Sequence, residues 1–260
     1  MSPRNASEVG QRRIYTFGGE KYPSVTTLLK GWPQEWAIGY GAKHVAERAM
    51  TDEHLTRLHR IEYGEPEYDE TLKWLKRAPY ERRDAAAEAG TDLHAYLECI
   101  LTGGKKGFCD GELTDGQKAI EGFVMTYRPT PLHVECQVFN PAEGYAGSAD
   151  AFLEIYGKRY VFDLKTGIVD HKTRLQLAAY RYADFIGEDD ERIADVPMTD
   201  GALVLSVPRD NPASWQLLEV DAGVAEFEMF LDYKRAWQFY DRNKDRPVGE
   251  LLLPQADGGS

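Results

Sequence analysis

Asp150 and the triplet Asp163-Leu164-Lys165 place two carboxylates and an ammonium within one short stretch of chain. Two acids that face one another can hold a divalent cation, and an amine beside them can steady an attacking water or an anionic substrate. Whether they face one another depends on the bend between them. Residues 149–156 and 159–165 each alternate between apolar and mixed side chains, and the intervening Gly157-Lys158 reads as a two-residue hairpin loop. With Tyr156 paired to Arg159, Phe152 lies opposite Asp163 and Asp150 opposite Lys165, so both acids and the amine project from one face. Asp150 and Asp163 are then diagonal neighbours, roughly 7–8 Å apart at the backbone. The other face, with Ala149, Ala151, Leu153, Ile155, Tyr160, Phe162 and Leu164, reads as a core face. An ordinary amphipathic hairpin has the same pattern, so a site requires groups from elsewhere in the chain.

Three other segments offer them. Residues 80–101 read as a helix, with Gly103-Gly104 and Lys105-Lys106 marking its exit. Its Ala86, Ala87 and Gly90 leave a slim surface for close approach to a sheet, and His94 follows Gly90 by one turn. His94 shares a face with Leu97 and Leu101, so it reads either as a satisfied core histidine or, near two carboxylates, as a ligand for a metal such as manganese. After the hairpin, Lys172, Gln176 and Tyr180 recur at four-residue spacing, a polar stripe beside Leu175, Ala178, Ala179, Tyr182 and Ile186. Such a stripe also fits a plain boundary between core and solvent. Glu135, between Val134 and Cys136, joins the acid face if its strand pairs next to the hairpin, and is otherwise an exposed strand glutamate.

The chain has 260 residues, 42% of them hydrophobic and 12% aromatic, enough for a full core. A net charge of −12 argues against a protein that coats nucleic acid through its overall field, while leaving room for a local basic groove. Positive charge is clustered at Arg57, His59 and Arg60, at Lys73, Lys76, Arg77, Arg82 and Arg83, at Lys105 and Lys106, and at Lys172 and Arg174. Acidic runs at 65–70 and 188–191 sit apart from these clusters. Cys99, Cys136 and Cys109 are odd in number and widely spaced, which predicts reduced structural thiols rather than disulfides or a zinc site. The N-terminal residues lack an apolar leader, and no stretch approaches the ~20 apolar residues of a membrane span, so a cytoplasmic location is expected.

The order of elements predicts an α/β (α+β) fold in which a central mixed sheet is flanked by helices. A strand near 14–17 and a helix start at 22–29, capped by Ser24, precede helices over 34–49, 52–60 and 69–76. Helices at 80–101 and 115–127 follow, the latter ended by Pro129 and Pro131, then strands at 132–138 and in the hairpin. A helix over 172–185, strands at 202–207 and 215–220, and a closing helix over 222–242 complete the series. One domain is expected over 1–260, with a helical N-terminal portion (1–84), a core (85–243) and a loose tail (254–260).

Four segments, in this order, resemble the successive motifs of the PD-(D/E)XK nuclease superfamily, within its RecB-like and phage recombination exonuclease branch. They are Gly90-Thr91-Asp92-Leu93-His94, Gly147-Ser148-Ala149-Asp150, Asp163-Leu164-Lys165-Thr166-Gly167 and Gln176-Leu177-Ala178-Ala179-Tyr180. Glu135 with Gly144-Tyr145-Ala146-Gly147 fits the approach to the second motif, and Tyr22-Pro23-Ser24-Val25-Thr26-Thr27 is similar to the start of several phage members. The resemblance implies a restriction-endonuclease-like core and Mg2+- or Mn2+-dependent hydrolysis of DNA, as an exonuclease in phage or bacterial recombination, repair or replication. It implies one or two ions held by Asp150 and Asp163, with the Leu164 carbonyl as a further ligand, His94 completing a second ion's shell and Glu135 outside it. Lys165 would stand at the attacking water, and Gln176 and Tyr180 would position the site or contact the DNA backbone.

DNA ends or single strands are the implied partners; a recombinase or single-strand-binding protein partner and an oligomeric state are compatible with the resemblance. Relatives with an iron-sulfur cluster carry four cysteines, three of them near the C-terminus. Nothing after Cys136 is cysteine, so no cluster is expected, and packing by Trp215, Trp237, Phe227 and Phe239 takes its place. Two other readings stay open. One is a non-catalytic nucleic-acid-binding recombination accessory protein on the same fold. The other is a glycosidase with Asp150 and Asp163 as an acid pair ~5–9.5 Å apart, in which Lys165 and His94 have no role.

Overall fold

The computed structural model describes residues 6–9, 12–31, 35–50, 58, 61, 63–64, 66–104, 112–247 and 249; the side chains of 6–9, 12, 31, 35–37, 83 and 85–89 lie outside that description. The expected helix over 52–60, the slim surface at Ala86 and Ala87, the Lys105-Lys106 exit and the tail 254–260 fall outside it. Among the described residues, no helix is long and apolar enough to cross a membrane. Cys136 is a free, buried thiol.

The fold is mixed α/β. Its central sheet is built from β4 (Thr130–Asn140), β5 (Tyr145–Ile155), β6 (Lys158–Lys165), β7 (Phe185–Glu188), β8 (Glu191–Asp195), β9 (Gly201–Ser206) and β10 (Gln216–Val220). These seven strands lie in the order β10-β9-β6-β5-β4-β7-β8. Among these seven strands, only β6 and β9 pair in parallel. Their connection carries α5 (His171–Arg181), whose first turn is closed by Asp170 accepting from Thr173 N.

The remaining helices are α1 (Val25–Leu28), α2 (Glu35–Ala49), α3 (Pro66–Leu101), α4 (Asp115–Tyr127) and α6 (Val224–Asn243). Ser24 caps α1 as expected, and Thr114 with Gln117 forms a capping box on α4. α3 is one helix that passes through Pro79, where the sequence suggests two segments at 69–76 and 80–101. The region 1–84, expected to be helical, also contains an antiparallel sheet of β1 (Ala6–Val9), β2 (Arg12–Phe17) and β3 (Glu20–Pro23). The helix expected over 172–185 stops at Arg181, and Phe185 begins β7.

Both faces of the central sheet are covered. On one face α1, α5 and α6 bury Val25, Leu175, Leu177 and Phe230 against Val138, Phe152, Val161 and Val204. On the other, α3 and α4 bury Leu97, Leu101 and Phe123 against Ala151, Leu153, Phe162 and Leu164. Phe123 stacks on Phe162 with ring centroids 5.3 Å apart. The face that bears the two acids is therefore not a solvent face but the rim of a second core layer. Trp215 packs beside the α3/α4 layer and Trp237 and Phe227 beside the other. Phe239, expected to help, is 67% exposed.

Candidate functional site

The bend between β5 and β6 differs from the expected one. Its loop residues are Tyr156 and Gly157, both at positive φ (53° and 75°), and Ile155 pairs with Lys158. Two consecutive positive φ values define a type I′ turn, whose twist matches the flanking strands. Phe152 is accordingly opposite Val161, not Asp163. The shift moves the pairing by two residues, so every side chain keeps its face. Its effect is to turn Asp150 and Asp163 from diagonal neighbours into residues directly across from one another.

Regular pairing of β5 with β6 ends at Ala151 and Phe162, one step before the acids. There the Leu164 N–H donates to Asp150 Oδ2 at 2.7 Å, so the carboxylate replaces a backbone acceptor. The Leu164 side chain is fully buried in the α3/α4 layer, and it is its amide that meets Asp150. Asp163 is almost wholly buried, at 2% exposure. Lys165 Nζ lies 3.0 Å from its Oδ1 and 2.8 Å from its Oδ2, but the hydrogen-bond geometry is met only at Oδ1. Asp163 Oδ2 thus keeps a buried lone pair with no aligned donor.

α3 brings His94 to the pair, with Nε2 3.1 Å from Asp150 Oδ2 and Nδ1 2.8 Å from the Gly90 carbonyl. A carbonyl can only accept, so Nδ1 carries a proton and the ring's orientation is fixed. His94 is therefore not a core histidine. Burial opposes its charged form, but the hydrogen bond and negative charge of Asp150 outweigh this and raise its pKa to about 9. Asp150 is correspondingly held below the usual carboxylate range: its burial is overcome first by the His94 hydrogen bond. Burial and the nearby Asp150 raise Asp163 to about 6, against the pull of Lys165.

On α5, Gln176 Nε2 donates to Asp163 Oδ1 at 3.4 Å and to the Tyr180 hydroxyl at 3.1 Å. Tyr180 is buried rather than a boundary residue, and its ring lies against Gly147 of β5. A Cβ at Gly147 would sit 2.3 Å from Tyr180 Cε1. Glu135 lies on β4 between the pairs Val134–Ala151 and Cys136–Ala149, which places it across from Asp150. Its φ of 46° makes it a left-handed residue inside a strand, an uncommon conformation that re-aims the side chain. Desolvation by the surrounding protein, then the Asp150 charge, raise its carboxyl to about 7, although the residue as a whole is exposed.

The structure thus gathers His94, Glu135, Asp150, Asp163, Lys165, Gln176 and Tyr180 from five elements. Sequence reasoning missed the Gly90 carbonyl behind His94 and a contact from Arg209 Nη2 to Thr166 Oγ1 at 3.2 Å. The only signal for Arg209 was a basic residue just past the strand that runs parallel to β6. Among the described residues, no group of three His, Cys, Asp or Glu side chains is arranged as it stands to hold an ion. No family model matches the chain, and no curated protein matches it.

The site makes stability depend on pH in one direction. Asp163, Glu135 and His94 all have folded pKa values above their ordinary ones, so their contributions are full below about 3.8, 4.5 and 6.5 and are lost through about 6, 7 and 9. Asp150, shifted down, contributes above its ordinary value and loses that contribution only in acid. In EDTA the melting temperature is therefore expected to fall as pH rises from about 5 to about 8.5. A melting curve that stays level or rises over that range with EDTA contradicts the assigned shifts.

Proposed function

We propose that this chain is a Mg2+- or Mn2+-dependent deoxyribonuclease, acting as an exonuclease in phage or bacterial DNA recombination, repair or replication. The observation that carries the reading is the meeting of Asp150 and Asp163 at the point where β5 and β6 part, with His94 on one acid and Lys165 on the other. The four motif segments that resemble the PD-(D/E)XK superfamily contribute their polar residues to this one place, which supports the resemblance as a working assignment.

The residues present fit a divalent cation. Two carboxylates face one another, Asp163 Oδ2 retains a buried lone pair without an aligned donor, and both acids are now neutralised by cationic side chains. Asp150, Asp163 and the Leu164 carbonyl would hold the ion, with His94 and Glu135 available to a second or to an outer shell. Such an ion would supply charge neutralisation at the phosphoryl group and a more acidic water.

The chain's own groups have defined tasks. Lys165 carries a full positive charge, because Asp163 and Asp150 more than offset its burial, and its three donors can hold an attacking water against the phosphate. Gln176 ties Asp163 to Tyr180 and so limits how far that carboxylate can turn. Release of the Nε2 proton would convert His94 from a donor to Asp150 into a lone-pair donor, with Nδ1–H still anchored on Gly90.

The test is incubation of end-labelled linear and closed circular DNA with magnesium, with and without EDTA. Cleavage of the linear form that EDTA suppresses is the expected result. DNA binding without degradation under any divalent ion would instead identify a non-catalytic accessory protein, and degradation that persists in EDTA would rule out the metal.

A further inference from the structure

Lys172 and Arg209 have no task in the chemistry above, yet both reach the end of β6 that carries Lys165. Lys172 lies in the first turn of α5, one helical turn before Gln176 on the stripe that ends at Tyr180, so it extends the line of groups beside Asp163 toward the rim. It is half-buried. Asp170, the nearest acid in sequence, already uses its carboxylate to accept from the Thr173 N–H and hydroxyl. Burial lowers the pKa of Lys172; Asp170 opposes this, and the charges of Lys165 and of Lys30, in the 3-10 turn Leu29–Gly31, lower it further.

Arg209 approaches from the opposite face. Thr166, next to Lys165, is buried under α3, with its Oγ1 3.4 Å from where a Cβ on Gly90 would lie. That hydroxyl accepts from Arg209 Nη2, and the Val207 N–H donates to the Lys165 carbonyl at 2.8 Å, which fixes the start of the loop bearing Arg209. Among the described residues Arg209 forms no ion pair, and its side chain is exposed. Its remaining guanidinium donors are therefore accessible at the Thr166 end of β6, and a guanidinium fork suits phosphate oxygens.

We infer that Lys172 and Arg209 contact the phosphates that flank the scissile one, so that a polyanionic strand crosses the end of β6 from the α5 face to the α3 face. Thr166 is then the positioning residue for Arg209. This rests on the nuclease reading and specifies how the same site takes its substrate. It also reconciles a net charge of −12 with a nucleic-acid substrate: affinity comes from a short cationic track rather than from the whole surface.

The experiment measures kcat and KM on end-labelled single-stranded and duplex oligonucleotides with magnesium, over a range of salt concentrations. Each of Lys172→Ala and Arg209→Ala is expected to raise KM about tenfold. Each should also flatten the dependence of log(kcat/KM) on log salt by about 0.7 to 0.9, the loss of one phosphate contact. Lys172→Arg and Arg209→Lys should keep the wild-type slope, and Thr166→Val should raise KM by a smaller factor than Arg209→Ala. Arg192→Ala, on β8 at the far edge of the sheet, removes the same charge and should leave the slope as it is. Slopes for the two alanine variants that match that of Arg192→Ala would overturn the inference. Oligonucleotide binding without metal, read by fluorescence anisotropy, reports the same slopes. A wild-type chain that binds but does not cleave therefore sinks the nuclease reading, while unaltered binding slopes sink this one.

Discussion

Asp163→Asn and Lys165→Ala are each expected to lower magnesium-dependent cleavage of DNA by about a thousand-fold or more, with the circular dichroism spectrum unchanged. The asparagine keeps the shape and the hydrogen bond from Gln176, and it removes the charge that a divalent ion and Lys165 both use. The alanine removes an ammonium that the two acids keep protonated well into the alkaline range. Because the two residues act as one unit through the contact of Lys165 Nζ with Asp163, the double variant should be little worse than either single one. Cleavage within tenfold of wild type in either single variant would remove the pair from the catalytic assignment.

Gly147→Ala is expected to destabilise the protein by about 1–3 kcal/mol and to disable cleavage, although it adds one methyl group at a position without charge. The new carbon would lie 2.3 Å from the Tyr180 ring, closer than any real contact, and Tyr180 is closed in on every side. The ring must move, and its hydroxyl then leaves Gln176, which in turn loosens Asp163. Pairing Gly147→Ala with Tyr180→Leu should recover much of the melting temperature by making room, yet leave cleavage low because the hydroxyl is gone. Recovery of both together would mean that the Tyr180–Gln176–Asp163 chain has no part in orienting the carboxylate.

The face shared by Asp150, Asp163 and Lys165 was legible because strand side chains alternate with a period of two, and the apolar partners on the other face were unmistakable. Pair register was less legible. Gly157 suits either loop position, and only the backbone shows that Tyr156 adopts positive φ beside it. The β7–β8 hairpin was missed because its loop, Asp189-Asp190, looked like part of a solvated acidic run. Both residues are in the left-handed region, which aspartate tolerates, and Asp190 also accepts from Gly18 N, joining this hairpin to the N-terminal sheet. Tyr180 was ambiguous for a different reason: four-residue spacing places it on a stripe but does not tell what covers the stripe. The meeting of His94 with Asp150 joins a helix and a strand far apart in sequence, and no local pattern encodes such a contact.

The tight bend at Tyr156-Gly157 also sets which length changes this hairpin can absorb. Removing or adding residues there in pairs slides one strand past the other while each acid still looks the same way. A register slip of a single residue would swing Asp163 and Lys165 into the hydrocarbon packed under α3 and α4, and would carry Phe162 and Leu164 to the α5 side in their stead. Length drift at this turn is therefore confined to even steps, a restriction imposed by pleat geometry rather than by any contact the turn makes.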